Sequence, residues 1–171
     1  AVLDLSASLE GSLRQPVLHA TARAALAEAF GLPALQIEQA LDYQAGELAA
    51  TLVVDDAGGR WLSLDTELTL APADMKDLRA LPARARTLGD TSRWSARFDA
   101  ARRRLGDLYA ALPPALAGLE VDGHVQVGHE PGAEPTGQAS WHVREAAARG
   151  SSTGCSQDGV ELALDAELAR K

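Results

Sequence analysis

The chain opens on a clean alternation. Leu3, Leu5, Ala7 and Leu9 fall on one parity, and Asp4, Ser6, Ser8 and Glu10 on the other. A period of two marks a β-strand with one dry and one wet face. Residues 11–15 read as a turn, and Pro16 opens a second run in which Leu18, Ala20, Ala22 and Ala24 oppose His19, Thr21 and Arg23. Residues 24–30, "AALAEAF", have helix propensity, but Gly31 and Pro33 cut the run short and its neighbours favour a strand. Leu35, Ile37, Leu41 and Tyr43 follow, then a tight connection at Ala45 and Gly46. Leu48, Ala50, Leu52 and Val54 make the next dry face, and "DDAGG" at 55–59 suits a hairpin turn. In "WLSLDTELTL", Leu62, Leu64, Leu68 and Leu70 oppose Ser63, Asp65, Glu67 and Thr69.

From Ala71 the period changes. "APADMKDLRALP" predicts a short polar helical turn between Pro72 and Pro82. "RWSARFDA" alternates again, with Trp94, Ala96 and Phe98 on one side. In "ARRRLGDLYAALPP", Leu105, Leu108, Tyr109 and Leu112 stand at helical spacing before Pro113 and Pro114. That spacing predicts a short amphipathic helix, with Arg102, Arg103 and Arg104 on its solvated face. After Gly118, Val121, Val125 and Val127 oppose Asp122, His124 and Gln126. "GHEPGAEPTG" reads as a turn-rich loop. Ala139, Trp141 and Val143 then oppose Gln138, Ser140, His142 and Arg144, "RGSSTGCSQDG" reads as a flexible loop, and a last strand covers 160–168.

Two of these strands are near copies. Residues 62–68 and 162–168 share Leu, Leu, Asp, Glu and Leu in register. The phrases that open the two halves also match in plan: strand, Gly- and Pro-containing turn, strand. The pattern predicts a mainly β chain. Its parts are a first β module at 1–70, a connection at 71–117 with one strand and two short helices, and a second β module at 118–171. Together they form one continuous fold. A unit repeated this way stacks edge to edge with its neighbours.

Composition narrows the function classes. Apolar residues make up 46% of the chain but aromatics only 4%. Ala and Leu therefore dominate, and small Ala side chains bury little area. A net charge of −8 argues against nucleic acid, which is held by Lys and Arg displacing counterions. Cys155 is the single cysteine, so neither an internal disulfide nor a thiolate zinc site is expected. The chain starts in strand pattern without an initiator Met or signal peptide, and no apolar run approaches the ~20 residues of a membrane span. Both features suggest a segment of something longer.

Candidate chemistry is sparse. His19, His124, His129 and His142 have no acidic ligand cluster at a metal-site spacing and are expected to face solvent. Asp55 and Asp56 lack the ligand pattern of an EF-hand loop. "GSSTG" is not a nucleophile elbow, and "GHVQVG" lacks the Lys of a P-loop. Trp61, Trp94 and Trp141 are expected to pack on neighbouring strands. No catalytic residue, metal or cofactor is assigned, and an enzyme is not expected. What remains is a broad dry face with little predicted cover. Such a face folds over on itself, pairs with adjacent modules, or holds an apolar ligand such as an acyl chain.

Four phrases carry a resemblance: "LDLSASLEGSLRQPVLHATA", "DAGGRWLSLDTELTL", "LGDLYAALPPALAGLEVDGHVQV" and "DGVELALDAEL". In this order they resemble the AsmA/TamB family of large periplasm-spanning bacterial proteins. The resemblance implies a curved, open, antiparallel or mixed β-sheet shaped as a trough. It implies a periplasmic segment of a parent protein anchored to the inner membrane, with phospholipid or another apolar ligand conducted between the inner and outer membranes. It places the lipid-groove lining on Leu3, Leu5, Leu9, Leu18, Leu48, Leu52, Leu62, Leu64, Leu68, Val121, Val125, Trp141, Val143, Leu162, Leu164 and Leu168. Implied partners are the lipid, adjacent modules of the parent chain and an outer-membrane barrel protein. The alternatives are a factor assisting outer-membrane protein assembly with that barrel, or a structural β-repeat of a secreted adhesin.

Overall fold

The computed structural model describes residues 2–12, 15–28, 32–70, 87–145 and 161–168, the last segment by its backbone only. The alternating runs become nine strands: β1 (Val2–Ser12), β2 (Gln15–Leu26), β3 (Leu35–Gln44), β4 (Glu47–Asp56), β5 (Gly59–Thr69), β6 (Trp94–Arg104), β7 (Leu119–His129), β8 (Thr136–Glu145) and β9 (Glu161–Leu168). They form a single sheet whose spatial order is the chain order. Among the described residues β1 and β9 do not pair, so the sheet is open. This is the mainly β architecture that the period of two predicts.

Every pairing is antiparallel, which removes the mixed alternative. The cause is local. β1–β2, β3–β4 and β4–β5 are each joined by two residues, and a connection that short can only reverse direction. At the β3–β4 turn Ala45 and Gly46 have φ of 54° and 90°, the left-handed pair that a two-residue hairpin turn needs.

The helical expectations are corrected in part. Arg102, Arg103 and Arg104 are not on a helix; they finish β6. The helix begins only at Leu105 and ends at Leu108, and a second one covers Pro114–Ala117. Arg103 is held in the sheet by Asp56, so the helix starts only after it, and the backbone turns extended at Tyr109, with φ of −147° and ψ of 104°, which ends it. A further helical turn lies at 87–91. The helical turn expected between Pro72 and Pro82, and the loop expected at 149–159, lie outside the described residues.

Among the described residues the buried core is small and sits at one end of the sheet. Tyr43, Leu70 and Leu88 are buried together, with Leu18, Leu48 and Leu68 packed against them. Leu70 follows β5 directly, and its N–H donates to the Gly46 carbonyl at 2.7 Å. The helical turn at 87–91 brings Leu88 over the same end. Among the described residues no helix is long and apolar enough to cross a membrane.

Candidate functional site

The register converts strand parity into continuous rows. One row runs Leu5, Ala22, Gln39, Leu52, Leu64, Phe98, Val125, Ala139 and Ala166, one residue from each strand. A second runs Leu3, Ala24, Ile37, Val54, Leu62, Ala100, Gly123, Trp141 and Leu164. A third runs Leu9, Leu18, Tyr43, Leu48, Leu68, Trp94 and His129. Across β7, β8 and β9, Val121, Val143 and Leu162 are aligned, and Leu168 lies opposite Gly137. The sixteen sequence-assigned lining positions, from Leu3 to Leu168, therefore share one face of one sheet. Antiparallel strands place such neighbours about 5 Å apart, so a row is a nearly unbroken aliphatic band.

The sequence-assigned lining omits part of this face. Ile37, Leu41, Val54, Phe98 and Val127 occupy the same rows or the same parity, and their alternation is visible in the sequence. His129 escapes for a different reason. It continues the odd-numbered series Val121, Val125 and Val127, but the Gly- and Pro-rich run around it reads as a loop. It is buried, not solvent-facing, and its ring stacks on Trp94 at 5.9 Å between centroids. His129 Nδ1 lies 3.0 Å from the Ser92 carbonyl.

Among the described residues no second sheet lies over this face. Leu3, Leu5 and Leu9 are 64%, 73% and 73% exposed on β1. From β2 to β8 the aliphatic residues are mainly half-buried. A depression of about 500 Å³ lies over β2, lined by Leu5, Ala7, Ala20, Ala22, Gln39 and Leu41 among others. It opens there because Ala20 and Ala22 are smaller than Leu5, Gln39 and Leu41 on the strands either side. Polar interruptions are few and uncharged between the two ends. Thr66 satisfies its hydroxyl by donating to the Ala50 carbonyl at 3.2 Å.

Trp141 shapes the far side of the face. Its ring packs tilted against Phe98 at 6.2 Å and lies directly over Gly123. A Cβ at Gly123 would stand 2.2 Å from the indole. Gly123→Ala is therefore expected to push Trp141 off Phe98 and cost about 2 kcal/mol through overpacking. Urea unfolding of the variant, with Trp fluorescence in the native baseline, checks both effects.

The opposite face is polar and cross-linked. His19 pairs with Asp42, Arg23 Nε lies 3.0 Å from Glu38 Oε1, and His124 Nδ1 lies 2.7 Å from Asp99 Oδ1. Asp122 accepts from Arg102 at 3.3 Å and from Arg144, with His142 Nδ1 3.0 Å away. Three of the four histidines are thus on the wet face, each beside an aspartate of a neighbouring strand. Hydrogen bonding from Arg97, above all, and then from His124 holds the Asp99 carboxyl below its ordinary range. For Asp122, burial pushes upward, but the bonds from His142, Arg144 and Arg102 together outweigh it and the carboxyl again sits low.

The sign follows from linkage. A carboxylate with a depressed folded-state pKa adds stability that is complete above its unfolded value of about 3.9 and disappears as pH falls through the folded value. The chain is expected to lose stability below about pH 4. Asp122→Asn should flatten that loss, read as the urea midpoint from mildly acidic conditions down to well below the ordinary carboxylate range.

One ion pair breaks the pattern. Arg103 and Asp56 meet at the end of the sheet opposite Tyr43, with side chains only 18% and 8% exposed. Arg103 also donates to the Arg60 carbonyl at 2.9 Å and the Arg102 carbonyl at 3.0 Å. Simple parity would put Arg102 with Trp94, Ala96, Phe98 and Ala100. A β-bulge between Ala100 and Arg103 shifts the count, so Arg103 lies opposite Val121 and Arg102 reaches Asp122 on the wet face. The charged cluster that reads as a helix surface is a clamp from β6 to the β4–β5 turn.

Among the described residues no group of three or more His, Cys, Asp or Glu side chains is placed to hold a metal ion. Comparison with protein-family models, with curated proteins and with solved structures gave no match.

Proposed function

We propose that this chain is a segment of a periplasm-spanning, AsmA/TamB-like bacterial protein whose apolar sheet face carries phospholipid acyl chains between membranes. The segment is not catalytic, and its parent is anchored in the inner membrane. The observation that carries the reading is the row structure: mostly apolar positions from nine successive strands lie in register on one face that, among the described residues, no second sheet covers. Each methylene that moves from water onto such a face gains up to about 0.8 kcal/mol. Between the Tyr43 end and the Arg103 end no charged side chain sits in the rows to hold cargo at one depth. An acyl chain can slide along a surface of nearly uniform affinity, which suits transfer better than storage.

Native mass spectrometry of gently purified protein tests this. Co-purifying phospholipid is the expected result. Lipid-free protein that also takes up no added phospholipid would favour a structural β-repeat with an idle dry face.

A further inference from the structure

The dry face differs between its two ends. At one end, Leu18, Leu48 and Leu68 pack against the buried cluster of Tyr43, Leu70 and Leu88. Trp94 and His129 continue that row, stacked on each other. The Trp94 Nε1–H donates to the Gly89 carbonyl at 2.9 Å and ties the helical turn at 87–91 to this end. Among the described residues no carboxylate or guanidinium stands on the dry parity here. At the other end the dry parity finishes on charge. Asp56 continues the series Leu52 and Val54 of β4, and Arg103 lies opposite Val121 after the bulge in β6. The two meet as the shielded ion pair described above. Exposed Glu145 closes β8 at the same end, opposite Leu119. Arg60 is only loosely held there, 3.9 Å from Asp55 and 64% exposed.

Between these ends the apolar band has a definite length. On β6 it runs from Trp94 to Ala100, or about 20 Å along the strand. The hydrocarbon of one bilayer leaflet is about 15 Å deep, half of the whole core. An acyl chain laid along a strand therefore fits the band. A chain laid across the strands meets no such limit, because the rows continue from strand to strand.

We propose that a bound phospholipid lies with its acyl chains along the strands, their tips at the Tyr43 end and the phosphate headgroup at the Asp56–Arg103 end. This rests on the acyl-chain reading above and adds a direction to it. A phosphate placed against the Tyr43, Leu70 and Leu88 cluster would lose water with no cation to meet it, which is costly. At the opposite end the rim is already polar, and exposed Arg60 is available to the phosphate. Cargo then moves sideways from strand to strand, with every headgroup on the same rim.

The test uses the full chain and phosphatidylcholine carrying a diazirine either on the headgroup or at the tip of an acyl chain, with adducts mapped by mass spectrometry. Acyl-tip adducts should gather at Leu48, Leu68 and Trp94, and headgroup adducts at residues 55–60 and 103–106. Affinity for single-chain phospholipids gives a second reading. It should rise by up to about fourfold per added methylene and level off once the chain outgrows the band. The reverse adduct pattern, or both probes marking both ends alike, would overturn the orientation and leave the cargo reading standing. Affinity that keeps rising with chain length would place the chains across the strands and overturn it as well. No adduct with either probe would remove the cargo reading, and the orientation with it.

Discussion

Arg103→Ala should destabilise the fold by about 3 kcal/mol, the low end of what breaking a buried pair costs. Asp56 would be left almost buried, with the Gly58 N–H at 2.7 Å as its remaining donor. The Arg60 and Arg102 carbonyls would lose a donor as well. Asp56→Ala should cost a similar amount. The double variant should cost clearly less than the sum, because each single change removes the same pair. Arg102→Ala is the internal control. Its side chain is 57% exposed in the pair with Asp122, and an exposed pair is worth at most about 1 kcal/mol. Urea unfolding of the four variants gives the comparison. If Arg102→Ala proved worse than Arg103→Ala, the bulge in β6 would be misplaced.

The second large effect concerns cargo. Leu52 and Leu64 face each other in the middle row. Covering a Leu side chain with an acyl chain gains about 1.5–3 kcal/mol relative to leaving it wet. The double change Leu52→Gln and Leu64→Gln keeps side-chain size and removes most of that gain at two adjoining points. Lipid retention should fall by about 100-fold, since each tenfold corresponds to about 1.4 kcal/mol. Asp65→Asn, one position along the same strand on the wet face, should leave retention unchanged. Displacement of a fluorescent fatty acid measures all three proteins, and circular dichroism confirms the fold.

Much of this architecture is legible because each strand is wet on one side and dry on the other. Leu62, Leu64 and Leu68 can be assigned to a common face from the sequence alone, and the register places Val54 and Phe98 beside them. Parity fails where a residue is inserted. Nothing local in "DAARRRLG" marks the bulge after Ala100, so Arg103 reads as solvated although it is far better buried than Arg102 next to it. The signal that decides it is long-range, an aspartate in another hairpin. His129 is hidden by loop-forming neighbours, and the Tyr43, Leu70 and Leu88 cluster by sequence distance, since Leu88 reaches Tyr43 only through the β5–β6 connection. The face is readable from periodicity; its capped and clamped ends depend on tertiary contacts.

The most direct measurement is photo-crosslinking to native lipid from single positions on the two faces. A photoreactive residue placed in turn at Leu41, Leu64 and Val125 on the dry face, and at Asp65 and Gln126 on the wet face, samples both sides of β5 and β7. Phospholipid adducts at the first three positions and none at the last two are expected. Adducts on both faces alike, or on neither while the fold is intact, would contradict the claim that one aliphatic face carries the cargo.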